Sequence, residues 1–350
     1  VSAGSDHDEV FYMLAVCQRY LKKYSAALSN LDKLKTLAPD HSRGHQETGH
    51  VYRAMNNADA ALNAYSRAIQ INPALFASFR AQIDILSATG RESVTGPLKR
   101  QLESLEALPK VLVGVMDLIA HGKLVKAEEL CKGFMQKVPR HIEGMRLLAD
   151  LGVKTNVLDD AEFILESALV YEPDNKLVRF DYMNVLYKRQ KFGLCMEQAQ
   201  ILLDAEPENS KYRFAYANQC VAVGRFDEAL AFYDEFVAND PNAAAAHLLR
   251  GHTLKTIGRI DESVDAYRAV YGAKPDFGDA FWSLANLKTY QFEDAEIDHM
   301  RAHQQSDATS LDDRIHLSFA LGKAMEDAKD YTASADYYLL GNELKNAQTH

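Results

Sequence analysis

Seven of the nine prolines in this 350-residue sequence recur at a nearly constant spacing. They are Pro39, Pro73, Pro139, Pro173, Pro207, Pro241 and Pro275. The interval from Pro39 to Pro73 repeats along the set, except that the interval from Pro73 to Pro139 is slightly less than twice as long. A fixed period of this kind indicates an array of structural repeats. Because proline lacks an N–H group and blocks the continuation of a helix, each of these residues is expected to follow a helix end.

The period, about 34 residues, is typical of the tetratricopeptide repeat, in which every unit is a helical hairpin. We therefore predict an all-α fold, a right-handed superhelical solenoid of about ten hairpins that spans residues 1–350 as one body. The units are expected to begin near residues 8, 42, 76, 108, 142, 176, 210, 244, 278 and 315. Irregular structure is expected at residues 90–108, where Gly96-Pro97 interrupts the second helix, and at residues 292–314.

Several positions of the repeat carry one class of side chain, when the proline is counted as position 32. Position 20 is small where the two helices cross, as Ala27, Ala61, Ala127, Ala161, Cys195, Ala229 and Ser263. Position 8 is small in the first helix, as Gly49, Ala149, Ala217, Gly251, Ala285 and Gly322. Position 24 holds a large ring that is expected to pack between hairpins, as Tyr65, Tyr233, Tyr267 and Tyr338. Glycine at position 15 predicts turns with positive φ at Gly90, Gly122, Gly224 and Gly258.

Composition excludes several classes of function. The net charge of −10 and the lack of a basic stripe argue against nucleic-acid binding. The longest apolar runs are far shorter than a membrane span. The cysteines Cys17, Cys131, Cys195 and Cys220 have no metal-binding spacing and lie among apolar neighbours, so we expect buried thiols in a cytoplasmic protein.

No motif in the sequence predicts catalysis by this segment, and no cofactor is expected to bind it. A nucleophile with a nearby base, a phosphate loop and a dinucleotide fingerprint are all missing. His299 and His303 lie four residues apart, with Glu296 one turn earlier, but a fourth metal ligand is lacking. The pair His45 and His50 lies on poorly aligned helix faces. We therefore expect no metal site.

The first helix of each unit is expected to line a concave groove that takes a protein or peptide. Polar residues recur at position 9, and those proposed for the groove are Asp150, Asn184, Asn218, His252 and Asn286. Position 5 supplies Arg146 in the N-terminal half and apolar rings further on, at Phe180, Phe214 and Trp282. An amide both donates and accepts, so a ladder of amides can pair with the backbone of an extended peptide. The alternative is that asparagine is only a fold preference and that the rings only pack between hairpins.

The C-terminal part of the sequence resembles a known family. The distinctive residues are 278–288 (GDAFWSLANLK), Phe292, 294–297 (DAEI), 320–324 (ALGKA), Asp330-Tyr331, Tyr338 and Gly341-Asn342. Weaker matches are 14–16 (LAV), Tyr24, Ala27-Leu28, 72–75 (NPAL) and Ser78. This block is similar to the segment that precedes the catalytic domain in bacterial tetratricopeptide-repeat sulfotransferases, although no phosphosulfate loop occurs before His350.

The resemblance implies that a sulfotransferase domain follows residue 350 and binds 3′-phosphoadenosine-5′-phosphosulfate there. The present segment would be the non-catalytic part that chooses the sulfate acceptor, and it would carry no catalytic residue. An alternative is an assembly scaffold that self-associates through its terminal repeats, because an uncapped repeat leaves an apolar face open.

Overall fold

The computed structural model describes residues 5–306 and 308–349, and their regular structure is helical throughout. The chain divides into two compact units, Val1–Arg189 and Gln190–His350. The first unit contains α1 Ser5–Tyr20, α2 Tyr24–Leu37, α3 Ser42–Ala54, α4 Ala58–Ile71, α5 Phe76–Ala88, α6 Gly96–Glu106, α7 Lys110–Ala120, α8 Leu124–Met135, α9 Ile142–Lys154, α10 Leu158–Tyr171 and α11 Lys176–Lys188. The second contains α12 Phe192–Ala205, α13 Ser210–Ala222, α14 Phe226–Asn239, α15 Ala244–Thr256, α16 Ile260–Ala273, α17 Gly278–Ala285, α18 Asp294–Gln304, α19 Leu311–Asp327 and α20 Tyr331–Thr349.

The prediction of an all-α fold built from helical hairpins is confirmed. Seven first helices begin at a predicted unit start, namely Ser42, Phe76, Ile142, Lys176, Ser210, Ala244 and Gly278. Three others begin elsewhere, at Ser5 rather than residue 8, at Lys110 rather than 108 and at Leu311 rather than 315. Six second helices end two residues before a periodic proline, at Leu37, Ile71, Tyr171, Ala205, Asn239 and Ala273. The regular spacing of the prolines thus reflects the ends of the second helices.

Small residues lie where the two helices of a hairpin cross. Ala27, Ala61, Ala127, Ala161, Cys195, Ala229 and Ser263 are fully buried at position 20. A larger side chain there would force the helices apart, because their close approach leaves no free volume. Gly90, Gly122, Gly224 and Gly258 occupy the hairpin turns with φ between 67° and 81°, as predicted.

The long interval between Pro73 and Pro139 contains a shortened hairpin. We expected Gly96-Pro97 to interrupt the second helix, but α6 begins there and holds Pro97 in its first turn. Proline is tolerated at that point because the first N–H groups of a helix have no intrahelical acceptor. A 3-10 turn, Glu92–Val94, takes up the residues before α6. The segment is therefore a distorted hairpin with a late second helix.

The expectation of an irregular connection over residues 292–314 needs correction, because this segment contains the helix α18. A capping box starts this helix, in which Glu293 and Glu296 satisfy each other's backbone N–H groups. The short helix α17 packs against α19. Gly278 allows this approach, since a Cβ atom there would lie 2.2 Å from the carbonyl oxygen of Asp313. Because no proline follows α18 at the repeat spacing, the proline pattern did not predict this helix.

A buried carboxylate holds the segment before α18 against α16. Glu296 Oε1 accepts hydrogen bonds from the hydroxyls of Tyr271 at 2.7 Å and Tyr290 at 2.6 Å. Burial on its own raises the pKa of Glu296, but hydrogen bonds from Tyr290, the Glu293 backbone and Tyr271 outweigh burial and lower it. The rings of Tyr271 and Phe281 stack at 4.5 Å beside this cluster.

Three of the four cysteines are buried as expected, and one is not. Cys131, Cys195 and Cys220 are buried, whereas Cys17 is exposed on α1, so the expectation for Cys17 was wrong. Helix α1 packs against α2 and α3. Burial raises the pKa of the Cys131 thiol to about 11, which leaves it protonated near neutral pH.

The helices offer neither a membrane span nor a metal cluster in the part of the chain that is described. Among the described helices, none combines the length and apolar content required to span a bilayer. Within the same residues, no three or more His, Cys, Asp or Glu side chains are placed to hold a metal ion. Nε2 of His299 lies 2.7 Å from the carbonyl oxygen of Pro275, which accounts for one ring of the histidine pair.

Candidate peptide-binding surface

The candidate surface is the first-helix face, which we define as positions 5 and 9 of each first helix. A turn of helix separates these positions, so their side chains share one face. In the first unit this face includes Arg146, Asp150, Phe180 and Asn184. In the second unit it includes Phe214, Asn218, Leu248, His252 and Trp282.

A notch between the helices of a hairpin seats the tyrosine at position 24. In three hairpins the notch is formed by glycine at position 8, where an added Cβ atom would lie 2.6 Å from the ring of Tyr65 at Gly49 and of Tyr267 at Gly251, and 2.7 Å from the ring of Tyr338 at Gly322. Tyr65 and Tyr267 are fully buried and also contact the next hairpin, as predicted, whereas Tyr338 is half-buried. The glycine therefore creates the space that the ring needs.

The hydroxyl of this tyrosine binds the polar residue at position 9 of the same hairpin. Tyr65 lies 2.7 Å from Nδ1 of His50, and Tyr267 lies 2.9 Å from Nδ1 of His252. Tyr233 donates to Oδ1 of Asn218 at 2.7 Å. The constant spacing of fifteen residues between the two members is the sequence signal that could have revealed these pairs. Part of the polar pattern at position 9 is thus structural.

Burial keeps the imidazole and the phenol of each His–Tyr pair neutral. It raises the pKa of Tyr65 to about 12 and raises the pKa of Tyr267 as well. It lowers the pKa of His50 and of His252. When the tyrosine hydroxyl donates to Nδ1, the histidine proton lies on Nε2. Tyrosine therefore fixes one end of the position 9 side chain, and the other end stays a hydrogen-bond donor.

The second unit places an aromatic ring beside one of these fixed polar side chains. Phe214 is half-buried, with its ring centroid 6.0 Å from that of Tyr233 and 5.4 Å from that of Phe236. Asn218 lies one turn further along the same helix and is also half-buried. Only its Oδ1 has a hydrogen bond to another described residue, so its amide NH₂ group is available to a ligand. The predicted residues Phe214 and Asn218 therefore share one face of α13, and His252 holds the position equivalent to Asn218 on α15.

Trp282 lies on this face, but Asn286 does not continue the ladder. Trp282 is half-buried, and its ring centroid lies 5.6 Å from that of Phe319. Asn286 is exposed and follows the last residue of α17, where it forms the C-cap. Because α17 ends so early, Asn286 has no tyrosine partner among the described residues equivalent to that of Asn218. The ladder of the second unit therefore comprises Asn218 and His252.

The predicted residues of the first unit have a different character. Nε of Arg146 lies 2.7 Å from Oδ2 of Asp181, and Nη1 lies 2.8 Å from Oε2 of Glu143. Burial alone lowers the pKa of Arg146, but the two carboxylates outweigh burial and raise it. This guanidinium is thus neutralised within the unit. Asn184 is exposed on α11, and Phe180 is half-buried one turn earlier.

Asp150 lines a cleft of about 500 Å³ in the first unit. Its lining mixes apolar residues with both signs of charge, with Lys154 3.7 Å from Asp150 and Arg67 2.6 Å from Asp40. Burial raises the pKa of Asp150, while Lys154 opposes this effect. The lining residues are Asp40, Arg67, Gln70, Ile71, Pro73, Met116, Ile119, Ala120, Leu147, Asp150 and Lys154. The cleft can hold a short apolar side chain, but its charges are already paired.

Family models of the tetratricopeptide repeat match the sequence in both units. They cover residues 9–41 and 44–75, and two overlapping matches cover 184–244 and 217–276. The chain therefore contains tetratricopeptide repeats, whose arrays form extended binding surfaces. A search of the curated proteins finds no significant match.

Structural comparison finds other helical proteins at low sequence identity. The chain has a TM-score of 0.44 with MamA residues 41 to the end from Desulfovibrio magneticus RS-1, at 12% identity, over 47% of this chain and 94% of that one. With MamA AMB-1 the TM-score is 0.42, at 21% identity, over 47% of this chain and 97% of that one. With yeast Tom70 the TM-score is 0.44, at 11% identity, over 97% of this chain and 92% of that one. The fold assignment accordingly depends on the helices and on the repeat matches.

Proposed function

We propose that this protein is an interaction scaffold whose second unit binds an extended segment of another protein. The proposal is carried by the fixed donor of Asn218, which Tyr233 holds beside the half-exposed ring of Phe214. Apolar contact supplies affinity, and an oriented amide pairs with a peptide backbone. Because the tyrosine fixes the amide before a ligand arrives, less side-chain entropy is lost on binding.

A random peptide library displayed on phage and selected on the 350-residue chain tests this proposal. We expect enriched peptides whose binding weakens about five- to tenfold when Asn218 is replaced by alanine, the loss of one or two hydrogen bonds. Asn239→Ala is the control, because Asn239 is an exposed amide at the end of α14 in the same unit. No enrichment, or selected peptides that bind wild type and Asn218→Ala equally, would overturn the proposal.

A narrower use of this scaffold is supported by the resemblance of residues 278–342 to the bacterial sulfotransferase family. On that basis, the scaffold chooses the sulfate acceptor for a catalytic domain that follows residue 350. The repeat models that match describe the tetratricopeptide repeat alone. Sequencing the gene beyond the codon for His350 tests this use directly. A downstream strand, phosphosulfate loop and helix is the expected result, and a stop codon or an unrelated domain would contradict it.

The alternative to a peptide-binding role is an assembly scaffold without an enzyme domain. Selection of peptides distinguishes the two, because an assembly scaffold would contact folded surfaces instead of extended segments. Peptides that bind in a manner sensitive to Asn218 favour the first role.

A further inference from the structure

The outer face of α1 is almost entirely apolar and exposed. Over residues 8–20 of this helix, the exposed residues are Glu9, Val10, Met13, Leu14, Cys17 and Tyr20, and Leu21 continues the stripe just beyond the helix end. Tyr20 and Leu21 are 73% and 65% exposed. A stripe of this size is unusual on the surface of a monomer, where apolar residues are normally scattered.

The same repeat positions are buried in most later units. In eight of them the equivalent of Val10 is buried, as Gly44, Ser78, Gly144, Val178, Tyr212, Ala246, Ala280 and Leu317. In eight of them the equivalent of Cys17 is buried, as Val51, Ile85, Leu151, Val185, Gln219, Thr253, Leu287 and Ala324. In those units the second helix of the preceding hairpin packs on the first helix, as α2 does on α3. The outer face of α1 is therefore a stacking surface on which no described helix lies.

Charge along α1 indicates which polypeptide covers this face. Asp8 and Glu9 lie at its N-terminal end, and Lys22 and Lys23 follow its C-terminal end. Neither Glu9 nor Lys22 forms an ion pair with another described residue. Two copies of α1 in antiparallel contact would place Glu9 beside Lys22 of the second copy, Val10 beside Leu21 and Leu14 beside Cys17. Opposite charges would then meet at both ends of an apolar seam.

A head-to-tail stack on α20 of another copy would be less complementary. The exposed face of α20 carries Thr332, Asp336, Asn342, Glu343 and Lys345 around the large apolar residues Tyr331 and Leu339. Acidic and amide side chains on that face would lose hydration against the apolar stripe of α1 without gaining partners there. An isologous pair buries apolar surface on both sides and closes on itself.

We propose that the protein forms a two-fold symmetric dimer through antiparallel contact between the outer faces of α1. Sedimentation equilibrium of the 350-residue chain over a wide concentration range should show a monomer–dimer equilibrium. Leu14→Glu should raise the dimer dissociation constant at least tenfold, because it places a charge in the apolar seam. The control is Leu339→Glu, which alters an exposed leucine on α20 and should leave the dissociation constant unchanged.

A charge exchange tests the antiparallel register and does not depend on apolar burial. Glu9→Lys and Lys22→Glu should each weaken the dimer several-fold, and the double variant should restore it close to the wild-type dissociation constant. Circular dichroism would confirm that each variant is folded. A chain that remains monomeric, a dimer that responds to Leu339→Glu instead of Leu14→Glu, or higher oligomers would overturn the proposal. Failure of the double variant to recover would overturn it as well.

Discussion

The hydroxyl of Tyr233 donates a 2.7 Å hydrogen bond to Oδ1 of Asn218, fifteen residues earlier on the first helix of the same hairpin. The same relationship links Tyr65 to His50 and Tyr267 to His252. A buried packing residue thus orients a polar residue on the candidate binding surface. Fold and function are linked at these positions, because one tyrosine serves both.

Removing only the hydroxyl of Tyr233 should separate its two roles. Tyr233→Phe keeps the buried ring but loses the hydrogen bond, so the free energy of unfolding should fall by about 1 kcal/mol. Urea unfolding followed by circular dichroism measures this change. Tyr331→Phe is the control, because Tyr331 is 67% exposed and should give no measurable loss. An equal loss in both variants would show that the hydroxyl bond of Tyr233 contributes nothing specific.

Gly251 should tolerate no larger residue while Tyr267 is present. Gly251→Ala places a Cβ atom 2.6 Å from the ring, and we expect a loss of about 2 kcal/mol in the free energy of unfolding from overpacking. Gly272→Ala in α16 serves as the control, since a Cβ atom added there meets no neighbour within 4 Å, and it should cause no loss. Combining Gly251→Ala with Tyr267→Leu should recover stability relative to the sum of the two changes. If the stability changes of the two single variants were strictly additive, the close contact between Gly251 and the ring of Tyr267 would be contradicted.

Stability should depend on pH through His252. Burial lowers its folded pKa from the ordinary value of 6.5, so below that pH the unfolded chain binds a proton that the folded chain does not. The stability that the neutral His252 contributes to the folded state is therefore complete above pH 6.5, and it declines as the pH falls toward the folded pKa. His252→Asn introduces the residue found at the same position as Asn218 and should flatten this decline. Burial also lowers the pKa values of His41, His45 and His50, so these residues should preserve the remaining dependence of stability on pH in this variant.

Thermal unfolding of wild type and His252→Asn between pH 5 and 7 measures that effect. The difference in free energy of unfolding between the two proteins should change with pH, and wild type should lose more on acidification. A difference that stays constant over this range would contradict the burial of a neutral imidazole at His252.

Much of the fold was predictable, because helix ends in a repeat follow from local rules. Proline blocks helix continuation wherever it occurs, so the spacing of Pro173, Pro207 and Pro241 predicted three helix ends. Pro97 was misinterpreted, because the effect of a proline depends on its position in the helix, and in the first turn it is compatible with α6. Helix α18 was missed because its start depends on side-chain caps and on tertiary contacts of Glu296.

The candidate surface was predictable as a set of positions but not as a set of contacts. Repeat numbering placed Asn218 and Phe214 on one helix face, and the structure confirms that they share α13. That Arg146 is paired with Asp181 of the next hairpin depends on the stacking of units, which the pattern within one unit does not contain. Asn286 does not take the predicted position 9 on a first helix, because α17 ends one residue before it.

The carboxylate of Glu296 should be required for order in the segment before α18. Glu296→Ala leaves the hydroxyls of Tyr271 and Tyr290 without their acceptor, and we expect a loss of about 2 kcal/mol in the free energy of unfolding. Amide hydrogen exchange should accelerate over residues 286–304 in particular. Glu343→Ala, an exposed carboxylate on α20, is the control. Uniform acceleration throughout the second unit would contradict a local role for Glu296.

Binding to the second unit can be read directly from the protein's one tryptophan, because Trp282 lies on the proposed surface. The most direct measurement is a titration of Trp282 fluorescence with a peptide selected on the wild-type chain. We expect a saturable change, a dissociation constant raised five- to tenfold by Asn218→Ala, a smaller increase in Tyr233→Phe, and no change in Asn239→Ala. A fluorescence that does not respond to a peptide of proven affinity, or equal affinity in wild type and Asn218→Ala, would contradict it.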